Sequence, residues 1–309
     1  MPRMILCGLL LAGVLQAQTQ PAATAPPNQD DASQGAPIYK VRVVGRTTKA
    51  VNYRRGGVPT PIDFQGTVLM PDSKGSAWVK ANKGSTEIKA RFKKLPAPTR
   101  FGREYLTYVL WAITPEGRAT NLGEIITDND DESKLNVTSD LQSFAMIVTA
   151  EPYFSVTQPS DVVVMENSVR PDTMGRVEMV DASFELLKRG EYAYDTAAAQ
   201  QASSGKREKL PMHRYEALVA IYQAQNAVQI AQSLGAERLA AQSYAKAAHL
   251  LQTARHYYDH EGDSKSVIQT ARQAAQTAED ARLITIAKQE RETAAEARAA
   301  ASAPASISQ

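Results

Sequence analysis

The hydrophobic period of this chain changes once, near Pro211: before it apolar and polar residues tend to alternate, and after it apolar residues recur at threes and fours. A strand points successive side chains to opposite faces, whereas a helix returns to one face about every 3.6 residues. The change therefore predicts strands ahead of Pro211 and helices beyond it.

The clearest strand is Glu87 to Lys93, where Ile88, Ala90 and Phe92 alternate with Glu87, Lys89, Arg91 and Lys93. One face is apolar and the other is basic. Similar runs lie at Tyr39 to Val44, Thr67 to Met70, Ala77 to Lys80, Asn121 to Ile126, Phe144 to Thr149, Val162 to Met165 and Val177 to Leu187. The run Tyr105 to Ile113 is apolar on both faces, as a central strand covered on both sides would be. Pro115-Glu116-Gly117 follows it with turn chemistry. Short strands with frequent turns predict an all-β immunoglobulin-like sandwich, with a partly open barrel as the alternative.

Beyond Pro211, Ala217, Ile221, Ala224, Val228 and Ala231 form the seam of a helix over Met212 to Leu234, which Gly235 stops. Tyr244, Ala247, Leu251, Ala254 and Tyr258 do the same over Glu237 to His260, ended by Gly262. Asp263 or Ser264 caps a third helix carrying Val267, Ala271, Ala274, Ala278 and Ala281. Short turns between long helices predict an antiparallel hairpin or three-helix bundle. Alanine seams bury little apolar area, so help from the strands or from a second copy is expected. A third helix running to Ala301 would be about 55 Å long at about 1.5 Å per residue, and its end should project.

The fold class expected is thus α+β in separate domains, an N-terminal sandwich followed by the helices. The segments read as a signal peptide over 1–17, a disordered leader over 18–37, strands over 38–190 and a linker over 191–211. Helices over 212–301 and a tail over 302–309 follow. Arg3, the apolar run Met4 to Val14 and Ala17 have the order of an export signal cut after Ala17. Cleavage would remove Cys7, the only cysteine, and with it every disulfide, thiolate-metal and cysteine-nucleophile option. No cysteine follows the apolar run, so a lipid anchor is not expected. Nor is a later membrane span. A formal net charge of +2 argues against a dedicated nucleic-acid binder.

The charge is unevenly spread. Between Tyr39 and Arg103 there are fifteen Lys and Arg against Asp63, Asp72 and Glu87. Lys89, Arg91 and Lys93 share one strand face, a candidate site for anionic envelope polymers such as an anionic glycan, or for lipid head groups; the plainer reading is that they meet the acidic stretch Glu116 to Asp140 or keep edge strands apart. Trp78 and Trp111 could form a sugar platform, although Trp111, in the most apolar run, reads as core. His256 and His260, with His249 near them, are the candidate metal ligands, but on the heptad set by Tyr244 and Ala247 they point away from the seam. Asp128-Asn129-Asp130-Asp131-Glu132 is oxygen-rich but has Ser133 and Ser139 where a calcium loop needs Gly and Glu. Ser203-Ser204-Gly205-Lys206 matches Ser-x-x-Lys in a polar linker without companion motifs. No catalytic residue and no cofactor is expected.

Two stretches carry a resemblance. Ala217 to Ala287, with Ala220, Ile221, Ala224, Gln225, Ala227, Val228 and the later Tyr244 to Ala254, resembles an Ala-rich helical domain of Gram-negative envelope proteins. That domain is often found ahead of an OmpA-like module. Tyr105 to Ile125 and Phe144 to Phe154 look like the β-rich region that precedes it in some of those proteins. No OmpA-like module is read in this sequence, so direct peptidoglycan binding does not carry over. The resemblance implies a non-enzymatic periplasmic or secreted protein, peripheral to the outer membrane. Its partners would be envelope proteins, peptidoglycan or outer-membrane components, and its helices could form homo-oligomers.

Overall fold

A computed structural model describes residues 48–180 and 211–302, except 57, 128–131 and 174. Ten strands come first: β1 (Thr48–Tyr53), β2 (Thr60–Gly66), β3 (Lys74–Ala81), β4 (Thr86–Lys93), β5 (Thr107–Ile113), β6 (Ala119–Ile125), β7 (Glu132–Ser139), β8 (Ser143–Glu151), β9 (Val163–Ser168) and β10 (Gly175–Val180). Helices α1 (Met212–Ser233), α2 (Ala236–Leu239), α3 (Ala241–Asp259) and α4 (Ser264–Ser302) follow.

Every strand pairing is antiparallel, and the order bends back on itself. From β8 the ladder runs through β9, β2, β3 and β4 to β7, while on its other side β8 pairs with β5 and β5 with β6. β6 then comes beside β7, where a Cβ at Gly123 would stand 3.5 Å from side-chain carbons of Leu135 and Val137. The sheet is nearly barrel-like, closer to the partly open barrel weighed as the alternative than to two facing sheets. β1 and β10 branch off the start of β8.

Alternation sorts each strand into an inner and an outer set. Ile62, Phe64, Val79, Ile88, Phe92, Tyr108, Leu110, Met146 and Val148 form the inner core. Val109, Trp111, Ile113, Ala145 and Ile147 point outward from β5 and β8 into a second core made with Ala217, Ile221, Ala224, Leu251, Ala271, Ala274 and Ala278. This explains why β5 is apolar on both faces: one lines the ring and the other lies under the helices. Strands and helices, expected as separate domains, meet through this shared core, and the Ala seams gain from the strands the apolar area they lack.

The three long helices pack on one another. Gly235, at φ 87°, ends α1 as expected. The expected second helix breaks at Ala240 (φ −133°, ψ 40°) into α2 and α3. Lys288 Nζ donates to the Leu239 carbonyl at 2.5 Å and Gln289 Nε2 to that of Leu234 at 3.0 Å, so α4 serves acceptors that the helix ends leave open. Asp263 Oδ2 accepts from the Ser266 amide at 3.1 Å and caps α4. Past Gln289 every residue to Ser302 is exposed, so the end of α4 projects.

Thr67 to Met70, expected as a strand, is a turn. The Met70 amide donates to the Thr67 carbonyl and that of Ser73 to the Met70 carbonyl. Met70 is buried while Val68 is 94% exposed. Gly66 lies so close to the Met70 carbonyl that a Cβ would overlap it. The expected strand over Tyr39 to Val44 and the part of Val177 to Leu187 beyond Val180 fall outside the described residues, as do the signal, leader, linker and tail.

Candidate functional site

Lys89, Arg91 and Lys93 project from β4 to solvent, because Ile88, Ala90 and Phe92 take the inner positions. The register extends that row across three strands. On β3, Lys74 lies opposite Lys93, Ser76 opposite Arg91, Trp78 opposite Lys89 and Lys80 opposite Glu87. On β7, Glu132 lies opposite Lys93, Lys134 opposite Arg91 and Asn136 opposite Lys89. Pro61 of β2 faces Trp78 from the other side. Trp78 is 52% exposed at the centre of this lattice.

Cross-strand partners hold their Cβ atoms about 4.5 to 5.5 Å apart, and like charges placed so destabilise a sheet. Two such pairs, Lys74 with Lys93 and Arg91 with Lys134, sit side by side on this wall. One ion pair offsets them, Lys134 Nζ to Glu132 at 3.6 Å, and its lysine is exposed. Among the described residues no carboxylate lies within ion-pair distance of Lys74, Lys80, Lys89, Arg91 or Lys93. The plainer reading, that this row meets the acidic stretch, is thus met by Glu132 alone among the residues described; Asp128 to Asp131 lie outside them.

The outer face of β5 and β8 has the opposite character. Glu279 and Arg282 of α4 are 3% and 2% exposed, and Arg282 donates to Glu279 from Nε at 2.7 Å and from a terminal nitrogen at 2.8 Å. The Tyr153 hydroxyl donates to Glu279 at 2.6 Å, and Thr157 donates to it from its amide at 3.0 Å and its hydroxyl at 2.6 Å. Glu124 of β6 accepts from Thr107 Oγ1 and Gln223 Nε2, each at 2.8 Å, and from Arg272 at 2.6 Å. Arg272 also lies 3.7 Å over the Phe154 ring. Glu151 accepts from Thr149 Oγ1 at 2.5 Å and the Ser160 amide at 2.6 Å, and Thr149 in turn accepts from Trp111 Nε1 at 2.8 Å. These carboxylates are tied into joining strand to helix and strand to loop, which is how buried charge is tolerated.

Trp111 is therefore core, and of the two tryptophans only Trp78 presents a face to solvent. His256 of α3 and His260, just past its end, are exposed with ring centroids 4.1 Å apart and planes tilted by 40°, and His260 Nδ1 lies 2.9 Å from the His256 carbonyl. No group of three His, Cys, Asp or Glu placed to hold a metal occurs among the described residues. Ser203 to Lys206 lies outside those residues. No described helix is long and apolar enough to cross a membrane.

Sequence reasoning missed Glu279, Arg282, Glu124 and Arg272. The one signal for the first pair is its setting, since Glu279 and Arg282 fall among Ala275, Ala278 and Ala281, two of which belong to the expected seam. No protein-family model and no curated protein matches the chain.

Proposed function

We propose that this is an exported cell-envelope protein that works by binding rather than by catalysis, and that its binding surface is the outer wall of β3, β4 and β7. The observation that carries the reading is the two like-charge cross-strand positions kept on that wall around an exposed tryptophan. Such an arrangement lowers the stability of the isolated protein, and an anionic partner would compensate it. The export signal read in the first 17 residues supports an envelope location, periplasmic or peripheral to the outer membrane. The resemblance to Ala-rich helical envelope proteins supports the same class.

In this reading α1, α3 and α4 act as a three-helix bundle that braces the ring, and the projecting end of α4 serves as a spacer or contact arm. Co-sedimentation with purified sacculi and with outer-membrane vesicles, at low and high salt, tests it. The expected result is capture by at least one of them at low salt, lost in high salt and lost in the K89A/R91A/K93A variant. Capture by neither at low salt contradicts the reading.

A further inference from the structure

We infer that the partner of this wall is an anionic polysaccharide, with a sugar ring laid on Trp78 and the acidic groups of the chain along Lys89, Arg91 and Lys93. This rests on the reading above and narrows it to one ligand chemistry.

The cations are regularly spaced. Successive outward side chains on an antiparallel strand are about 7 Å apart, twice the rise per residue. β4 therefore offers three cations in a line, with Lys74 and Lys80 parallel to it one strand away, roughly 4.8 Å across. This is a linear track, and it suits a chain with acidic groups at regular intervals.

Trp78 adds an apolar surface to the cations. It stands within the track, directly opposite Lys89 and two residues from Lys80, with Pro61 on its far side. A half-exposed indole presents a flat apolar surface, and a pyranose presents a flat face of C–H bonds that can lie on it. An anion without rings has no use for that surface. A polymer with both rings and charges uses both.

Two other polymers or surfaces fit less well. Single-stranded nucleic acid is held by stacking successive bases on several aromatic side chains, and this wall offers one ring. A lipid leaflet would be met by the protruding apolar residues at the end of the wall, Val68 and Leu69, but these lie beside Asp72 in the β2–β3 turn, while Trp78 is set mid-strand among the cations. A rod lying along the wall reaches Trp78 and the cations together.

The test uses the full mature chain and four probes at low salt: alginate oligomers, which carry carboxylates on sugar rings; polyphosphate of matched charge, which has no rings; oligo-dT; and anionic lipid vesicles. Affinity is read by calorimetry, with tryptophan emission as a second signal because Trp111 is buried and only Trp78 faces solvent. The expected result is alginate binding about tenfold tighter than polyphosphate. W78A should remove that advantage, leave polyphosphate affinity unchanged and leave the melting temperature unchanged, since the indole is outside the core. K89A/R91A/K93A should weaken both polymers. If W78A leaves alginate affinity as it was, or if oligo-dT or vesicles bind more tightly than alginate, the polysaccharide inference is overturned while an anion-binding wall stands. Absence of binding to all four probes at low salt overturns both.

Discussion

The barrel carries two outer faces of opposite design. Around the ring, β4 lies four strands from β8 in either direction, so the wall bearing Lys89, Arg91 and Lys93 stands across from the one the helices cover. Under the helices the charges are few and paired, and the central pair is buried: Glu279 accepts five donor contacts, two of them from Arg282. On the open wall the charges are many, exposed and mostly of one sign. A buried ion has to be satisfied for the protein to fold, whereas exposed cations kept beside one another do nothing for folding. The first face is built for stability. The second keeps like charges opposite one another, with the single ion pair of Lys134 and Glu132 against them among the described residues.

The largest effect should come from the covered face. Glu279→Ala takes the carboxylate out of a buried ion pair, and removing one member of such a pair costs about 3–5 kcal/mol. Denaturant unfolding is expected to show a loss of that size. A loss below about 1 kcal/mol would mean that the pair is not structural and would blur the contrast between the faces.

Alkaline titration sharpens the comparison from inside the ring. Burial raises the hydroxyls of Tyr53 and Tyr108 well above the ordinary tyrosine value near 10. A folded-state value above the unfolded one means that the stabilisation is fully present below pH of about 10 and is lost as pH climbs beyond it. The Tyr108 hydroxyl donates to the Pro96 carbonyl at 2.9 Å, whereas that of Tyr53 has no partner among the described residues. Y108F should cost about 1 kcal/mol at pH 7, and Y53F should be neutral or stabilising there. Both should flatten the alkaline loss. Melting curves at pH 7 and pH 11 check this, and an unchanged slope in Y53F would remove the tyrosine explanation.

The smallest effect, and the most pointed, belongs to the open wall. Lys74→Glu places an acid opposite Lys93 and converts a repulsive pair into an attractive one. It should stabilise the protein by about 0.2–1 kcal/mol while weakening capture by anionic partners. A destabilised K74E would show that the lysine has a structural use.

Legibility from sequence followed the same division. The alternation of β4 placed Lys89, Arg91 and Lys93 on one face, and the two-sided apolarity of β5 marked a strand covered on both sides. β7 was missed because its polar, acidic start reads as loop, although Ser133, Leu135 and Val137 take alternate positions. β2 was missed because Pro61 lies within it; the structure puts Pro61 beyond the stretch paired to β9, where a missing donor costs little. The wall as a lattice needed the register of three strands, which no local pattern encodes. The docking of α4 on the strands was hidden too. Its contact surface combines alanines with an ion pair, and neither raises hydropathy.

Whether the β3–β4–β7 wall serves binding and not folding is decided by stability and affinity measured together on K89A/R91A/K93A. A binding wall leaves the unfolding free energy within about 0.5 kcal/mol of the parent or higher, with capture by anionic polymer reduced at least tenfold at low salt. A variant that loses more than about 1 kcal/mol of stability and still binds as the parent does would contradict it.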